Sequence, residues 1–270
     1  MIKNIEDFNL SAVIKDEKIK LPEDLNKKIN IFWEDAIKKT PSLWNGELLC
    51  VNEFVEDEKN KKIDIICRKS NYAHYLYNER IGIEQKYSCS SLIAGCIFET
   101  SDGYYVVGAL GKDTSYPGCL QVSGGSADND DIFGERIDVL STIVRESKEE
   151  INIDLNDKKL VDSWKIKYID MPEEELKPHT YIIFAKAKLK MTKDEMDKYY
   201  KDYLDFLEKN NLEIEFEKLY FISKNKITEY LNKLENPKRG YLEKVFLEDA
   251  NSRRWKYEKF CSNNVVHKRL

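Results

Sequence analysis

The run Arg145-Glu146-Ser147-Lys148-Glu149-Glu150 constrains this chain most, because its three glutamates, at i, i+3 and i+4, fall on one side of a helical turn. Carboxylates gathered so closely repel one another, and a hard divalent cation held between them relieves the repulsion. Glu146, Glu149 and Glu150 are therefore candidate metal ligands. A solvated acidic helix face is the plainer reading of the same run. The residues before it favour the metal: Cys96-Ile97-Phe98 and Tyr104-Tyr105-Val106-Val107 read as strands around the turn Ser101-Asp102-Gly103, and Gly118 to Val122 lead into Gly124-Gly125. Without side chains, Gly124 and Gly125 let the backbone approach a metal-bound phosphate, although a tight turn also explains two glycines.

The order strand, strand, glycine loop, acidic helix resembles the Nudix hydrolases. Their signature joins a glycine loop to a helix bearing R-E-hydrophobic-x-E-E-x-G-hydrophobic. Gly124 and Gly125 match the loop, Arg145 the arginine, and Glu146, Glu149 and Glu150 the metal carboxylates. Several extra residues separate the glycines from Arg145, so the signature's first glutamate has no in-register match. Asp128 to Asp131 and Gly134-Glu135 read as a longer loop, with Glu135 or Asp138 as its substitute. Ser147 stands where the pattern has an apolar residue. Asn152 replaces the terminal glycine, and asparagine tolerates the left-handed conformation that stops a helix there. The resemblance implies an α/β/α sandwich with a mixed sheet, a Mg²⁺ cofactor or Mn²⁺ in its place, and a nucleoside diphosphate derivative as substrate.

A narrower resemblance lies towards the N-terminus. Leu21-Pro22, the helix Leu25 to Lys39 with Trp33, Pro41-Ser42-Leu43-Trp44 and Ser70-Asn71-Tyr72-Ala73-His74-Tyr75-Leu76 look like the extra domain of the animal UDP-sugar Nudix hydrolases. That resemblance implies a small N-terminal α/β accessory domain over residues 1–85, followed by a hydrolase domain over 86–270. It makes UDP-glucose or UDP-galactose the first-choice substrate, cleaved to UMP and the sugar 1-phosphate. The alternatives are an ADP-ribose or dinucleotide pyrophosphatase and a catalytically silent nucleotide-binding sensor.

In the resemblance Arg145 orients the neighbouring carboxylates through charge-assisted hydrogen bonds and belongs with Glu149 and Glu150 to the catalytic group. Lys112, after the strand that ends near Leu110, is a candidate phosphate contact with Gly124 and Gly125. The general base falls to Glu149, Glu150, or a loop acid among Glu173, Glu174 and Glu175. His179 lies near that loop, whereas His74 and His267 lack ligand spacing.

A chain of 270 residues can bury a substantial core, and its net charge of -5 argues against a dedicated nucleic-acid or anionic-membrane binder. The basic tail Arg253-Arg254 with Lys256 and Lys259 keeps an RNA-processing role as a third reading. No segment approaches the about 18 apolar residues of a membrane span, so a cytoplasmic protein is expected. Self-association stays open. Cys50, Cys67, Cys89, Cys96, Cys119 and Cys261 show no C-x-x-C spacing and read as reduced, structural thiols.

Hydrophobic spacing places the remaining elements. Leu25, Ile29, Phe32, Trp33, Ala36 and Ile37 form one apolar stripe and are expected to carry the contact between residues 1–85 and the remainder. Leu48 to Val55, Ile63 to Cys67, Trp164 to Ile169, Tyr181 to Leu189 and Leu219 to Ile222 read as strands. Tyr72, Tyr75 and Tyr77 cluster as packing residues or as a platform for a base or sugar. Thr192 and Glu195 form a capping box ahead of a helix with Met196, Tyr199, Tyr200, Tyr203, Leu204 and Leu207 along one face. Ile227 to Leu234 and Tyr241 to Asp249 complete the helices.

Overall fold

The computed structural model describes residues 1–172 and 180–252. Strands β1 (Ile2–Asn4) and β2 (Asn9–Lys18) precede helix α1 (Glu23–Lys39). The hairpin β3 (Glu47–Asp57) and β4 (Lys62–Asn71) runs into α2 (Tyr72–Arg80), followed by β5 (Leu92–Glu99), β6 (Tyr104–Leu110), β7 (Leu120–Gln121) and β8 (Ser123–Ser126). A short hairpin, β9 (Ile132–Phe133) and β10 (Arg136–Ile137), leads to α3 (Val139–Ile151). Then come β11 (Val161–Asp170), β12 (Tyr181–Leu189), α4 (Lys193–Lys209), β13 (Phe216–Ser223), α5 (Ile227–Lys233) and a last helix, α6, whose described part is 242–252.

An eight-stranded sheet has the order β1-β11-β12-β5-β6-β13, with β7 on β6 and β8 on β5. Its β12–β5 pair is parallel and its other pairs antiparallel, so the sheet is mixed. Strand alternation gives it two apolar faces. Ala94, Cys96, Phe98, Val106, Ile183 and Ala185 face α3 and α4, while Ile97, Tyr105, Val107 and Phe184 face α5 and α6. The sandwich expected from the sequence is present: a mixed sheet between helices, in a mixed α/β molecule.

A five-stranded sheet of order β3-β4-β2-β10-β9 packs Ala12, Ile14, Leu49, Ile63, Ile65 and Cys67 into the same core as α3. The two sheets exchange strands. Residues from the N-terminus supply β1 to the large sheet, opposite β11, and the β9–β10 hairpin joins the small sheet through Arg136 opposite Val13. The contact expected through α1 therefore lies elsewhere. Phe32 and Trp33 meet Tyr77 and Tyr72 of α2 edge-on, at ring centroid distances of 5.4 and 6.2 Å. The face of β2 and β4 that carries Ala12, Ile14, Ile63, Ile65 and Cys67 covers the shared core instead.

Local signals set several boundaries. Glu195 Oε2 accepts from Thr192 N at 2.8 Å and completes the expected capping box of α4. Asn152 ends α3 in the left-handed conformation, at φ 59°. Two expectations need correction. Cys50 and Cys89 form a disulfide, their Cα atoms 5.2 Å apart, because the pairing of Cys50 with Ser91 brings β3 beside the start of β5. Cys67, Cys96 and Cys119 are free and buried, as expected, and Cys261 lies outside the described residues. The stretch between Gly125 and Arg145 is a one-turn helix over Asn129–Asp131 and a β-hairpin rather than an open loop. Among the described residues no helix is long and apolar enough to cross a membrane.

Candidate functional site

Helix α3 sets the site. Its buried face carries Val139, Ile143 and Ile151 into the core together with Glu146, Ser147 and Glu150. Ser147, the departure from an apolar residue, is accommodated because its Oγ donates to the Ile143 carbonyl at 2.7 Å, leaving no donor unsatisfied.

The glycines lie in β8, not in a loop, with Gly124 opposite Gly95 and Gly125 opposite Ala94 on β5. Their lack of side chains has a specific cause. A Cβ on Gly124 would stand 2.4 Å from Gly95 Cα, and one on Gly125 would stand 2.4 Å from Glu146 Oε1. Gly124 thus brings strand to strand at a distance no side chain permits, and Gly125 leaves room for the Glu146 carboxylate as it is placed.

Glu150 is 3 % exposed. Its Oε2 accepts from Gly124 N at 2.7 Å, and the Ser123 hydroxyl and the Glu215 carboxyl lie beside it. Burial, with Glu215 and Glu146 nearby, pushes the Glu150 carboxyl well above its ordinary value. Glu146 is pushed up to about 7 by burial, against the pull of Arg145 and with the help of Glu215 and Glu149. Glu215, half-buried just before β13, is raised by burial as well. Three carboxylates thus converge where their full ionisation is unfavourable. Glu215 was missed in the sequence; the signal was an acid one residue ahead of a strand that pairs with β6.

Glu149 is not part of this buried group. Its side chain is 60 % exposed and accepts from Arg145 Nη1 at 3.1 Å. Arg145 also donates to Glu146 Oε1 at 2.9 Å, to Asp131 Oδ2 at 2.9 Å and to the Ser126 carbonyl at 3.0 Å. Burial opposes the guanidinium charge, but the hydrogen bond to Asp131 and the charges of Glu146, Asp131 and Asp128 outweigh it and hold Arg145 above its ordinary value. Arg145 thus spans the carboxylates of Glu146 and Glu149. Its carboxylate partners from the inserted segment are Asp131, 1 % exposed, and Asp128 at 3.3 Å, and neither Glu135 nor Asp138. Asp138 instead caps α3, accepting from Leu140 N at 3.2 Å, and the Glu135 carbonyl accepts from Ile14 N.

On the other side of Gly124 a cleft of about 530 Å³ opens, lined by Ser123, Gly124, Gln121, Tyr75, Glu79 and Arg239, among others. Arg239 is held there: its Nε donates to Gln121 Oε1 at 3.3 Å, its guanidinium stands 4.2 Å over the Tyr116 ring, and Glu79 lies 4.0 Å away. Burial raises the Glu79 carboxyl above its ordinary value, against the pull of Arg239 and Arg80. Lys112 does not line this cleft and is exposed in the turn after β6. His74 is a structural residue, its ring nitrogens 2.6 Å from Ser70 Oγ and 2.8 Å from the Tyr87 carbonyl oxygen. Glu173, Glu174, Glu175, His179 and His267 lie outside the described residues.

Whether these residues suit a divalent cation can be judged from their chemistry. Glu146, Glu150 and Glu215 offer hard oxygen donors, crowded together where burial raises all three. As arranged, with Arg145 across Glu146 and Glu149, no three acid, histidine or cysteine side chains among the described residues are gathered in metal-holding geometry.

No family model matches the sequence, and no curated protein matches it. Solved structures overlap parts of its fold. A NUDIX hydrolase from Nitrosomonas europaea is 13 % identical with a TM-score of 0.38, covering 75 % of this chain and 86 % of that one. The NUDIX domain of Shewanella oneidensis NrtR, complexed with ADP ribose, is 9 % identical with a TM-score of 0.38, covering 69 % and 99 %. A bifunctional NMN adenylyltransferase/ADP ribose pyrophosphatase from Francisella tularensis, complexed with AMP and a Mn ion, is 12 % identical with a TM-score of 0.39, covering 61 % and 43 %. These are partial likenesses of chain path.

Proposed function

We propose that this chain is a Nudix-type hydrolase that cleaves the diphosphate of a nucleoside diphosphate linked to another group, with a divalent cation as cofactor. One observation carries the reading: a buried Glu150 with one oxygen fixed by the Gly124 N–H, crowded by the carboxylates of Glu146 and Glu215. Glu146, Glu150 and Glu215 would hold Mg²⁺, or Mn²⁺ in its place. Bound there, the cation would supply charge neutralisation and an acidified water. Arg145 is paired with Glu146 and Glu149, and Glu149, facing solvent, would be the carboxylate that accepts a proton. Arg239 and Gly124 line the cleft in which a diphosphate would lie, Arg239 as a fork-shaped donor to phosphate oxygens.

UDP-glucose or UDP-galactose, giving UMP and the sugar 1-phosphate, is the first-choice substrate. The N-terminal sequence resemblance supports it, as does the presence of Tyr75 and Glu79 in the cleft wall. In this proposal residues 1–85 form the accessory unit that shapes the cleft and residues 86–270 the hydrolase unit. The rival is a silent nucleotide-binding protein, favoured by the Arg145 bridge across two of the carboxylates and by the lack of a ready ligand trio among the described residues. Incubating the protein with UDP-sugars, ADP-ribose and dinucleotides, with and without Mg²⁺, and identifying the products separates the readings. Nucleotide binding without Mg²⁺-dependent turnover of any of them would favour the rival.

A further inference from the structure

A second cleft, of about 510 Å³, opens on the sheet face that packs α6, and Lys165, Lys167, Lys186, Lys188 and Ser163 contribute to its lining, together with the carboxylate of Glu6. Strand register makes this concentration of charge. Lys165 lies directly opposite Lys186, and Ser163 opposite Lys188, on the antiparallel pair β11 and β12. Like charges facing each other across a ladder are destabilising unless countered, and here the counter-charges are incomplete. Lys165 is paired with Glu6. Lys167 Nζ lies 2.7 Å from Asp249 Oδ1, and Lys186 Nζ lies 2.8 Å from Glu99 Oε2 and 3.0 Å from Asp249 Oδ2. Lys224 shares the same two acids, at 3.0 and 3.5 Å. Lys165, Lys167, Lys186, Lys188 and Lys224 thus outnumber Glu6, Glu99 and Asp249, in a chain whose net charge is -5. Among the described residues Lys188, half-buried at the edge of the cleft, makes no ion pair.

We propose that this cleft is a binding site for a multiply charged phosphate- or sulfate-bearing small molecule, separate from the cleft beside Gly124. The buried acids fix Lys167 and Lys186 from below. Lys188 and Ser163 are left to face the anion, with Lys165 beside them in its pair with Glu6. Preorganised ammonium groups cost little ordering on binding, and each would add a charge-assisted hydrogen bond.

The test uses inorganic pyrophosphate and inorganic sulfate as probes, with the full chain carrying Arg239→Ala so that the first cleft contributes little. Lysine acetylation is read residue by residue with and without each probe. The expected result is saturable protection of Lys165 and Lys188 with no change at Lys112. Protection by pyrophosphate alone assigns the site to phosphate-bearing ligands, and protection by sulfate as well assigns it to tetrahedral oxyanions generally. In the same background, Lys188→Ala should weaken pyrophosphate binding by about tenfold. Unchanged acetylation at Lys165 and Lys188 under both probes would overturn the proposal. So would pyrophosphate affinity unaltered by Lys188→Ala. The footprint without that substitution decides the matter if the variant does not fold.

Discussion

Asp249 on α6 and Glu150 on α3 are both buried carboxylates, on opposite faces of the same sheet, and their surroundings are of opposite sign. Asp249 is 0 % exposed and meets Lys167, Lys186 and the hydroxyls of Tyr105 and Tyr168. Despite the cost of burial, Lys186, Lys167 and Lys224 hold it far below its ordinary value. Burial likewise draws the Lys186 ammonium down, against Asp249 and Glu99. Glu150 meets one backbone N–H and two further carboxylates, and is raised. The Asp249 carboxylate is countered by the lysines around it. The Glu150 cluster stays electrostatically incomplete, and buried groups left so mark the places where a fold serves something other than its own stability.

The contrast can be broken most severely at Asp249. Asp249→Ala would strand Lys167 in the interior and leave Lys186 with Glu99 alone, with an expected loss of about 3–5 kcal/mol in denaturant unfolding. A loss under about 1 kcal/mol would mean that water already reaches these lysines.

Glu150→Gln should behave oppositely. It keeps an acceptor for the Gly124 N–H and removes a repelled charge, so the metal-free protein should lose no stability at pH 8. Hydrolysis of the best substrate should fall by about a hundredfold. Glu149→Gln, at an exposed position tied to Arg145, should lower turnover similarly while leaving cation affinity intact, since its proposed work is proton transfer. Wild-type turnover in Glu150→Gln would remove that residue from the chemistry.

Within the first cleft, Arg239→Ala should raise KM by about tenfold, and Lys112→Ala should leave it unchanged. Steady-state kinetics on both variants decides which cation reads the phosphate.

The smallest expected effect is in pH dependence, and its sign differs between the clusters. Glu146 has a folded value of about 7 against an ordinary 4.5. The stability linked to it is present below 4.5 and lost as pH rises through about 7. Asp249 is lowered from an ordinary 3.8, so its contribution is present above that value and lost as pH falls below it. Mg²⁺ should therefore raise Tm more at pH 8 than at pH 5, by a few degrees. An equal shift at both would detach the cation from these carboxylates.

Much of this could be read in the sequence, for identifiable reasons. Helix α4 announces itself through Thr192 and Glu195, and β12 through the alternation of Phe184, Ala185, Lys186 and Ala187, because capping and burial are local. Glu146 and Glu150 were legible for the same reason, their spacing on α3 being fixed by helical geometry. Glu215, Arg239 and Asp131 were not. Each reaches the site across the fold, from β13, from the segment before α6 and from the insertion, and periodicity carries no trace of such contacts. Lys112 was favoured by its nearness to a strand end, but the turn that follows exposes it. The Cys50–Cys89 link was hidden likewise, since spacing alone gives no sign that β3 lies against the start of β5.

Calorimetric titration of the metal-free protein with Mg²⁺ near pH 6.5, in two buffers of different ionisation enthalpy, tests the central assignment most directly. Raised carboxyls at Glu146, Glu150 and Glu215 must release protons when a cation binds them. We expect saturable binding with buffer-dependent heat, and loss of both in Glu150→Gln. Buffer-independent binding, or binding unaltered in that variant, would contradict the assignment of the cation to this cluster.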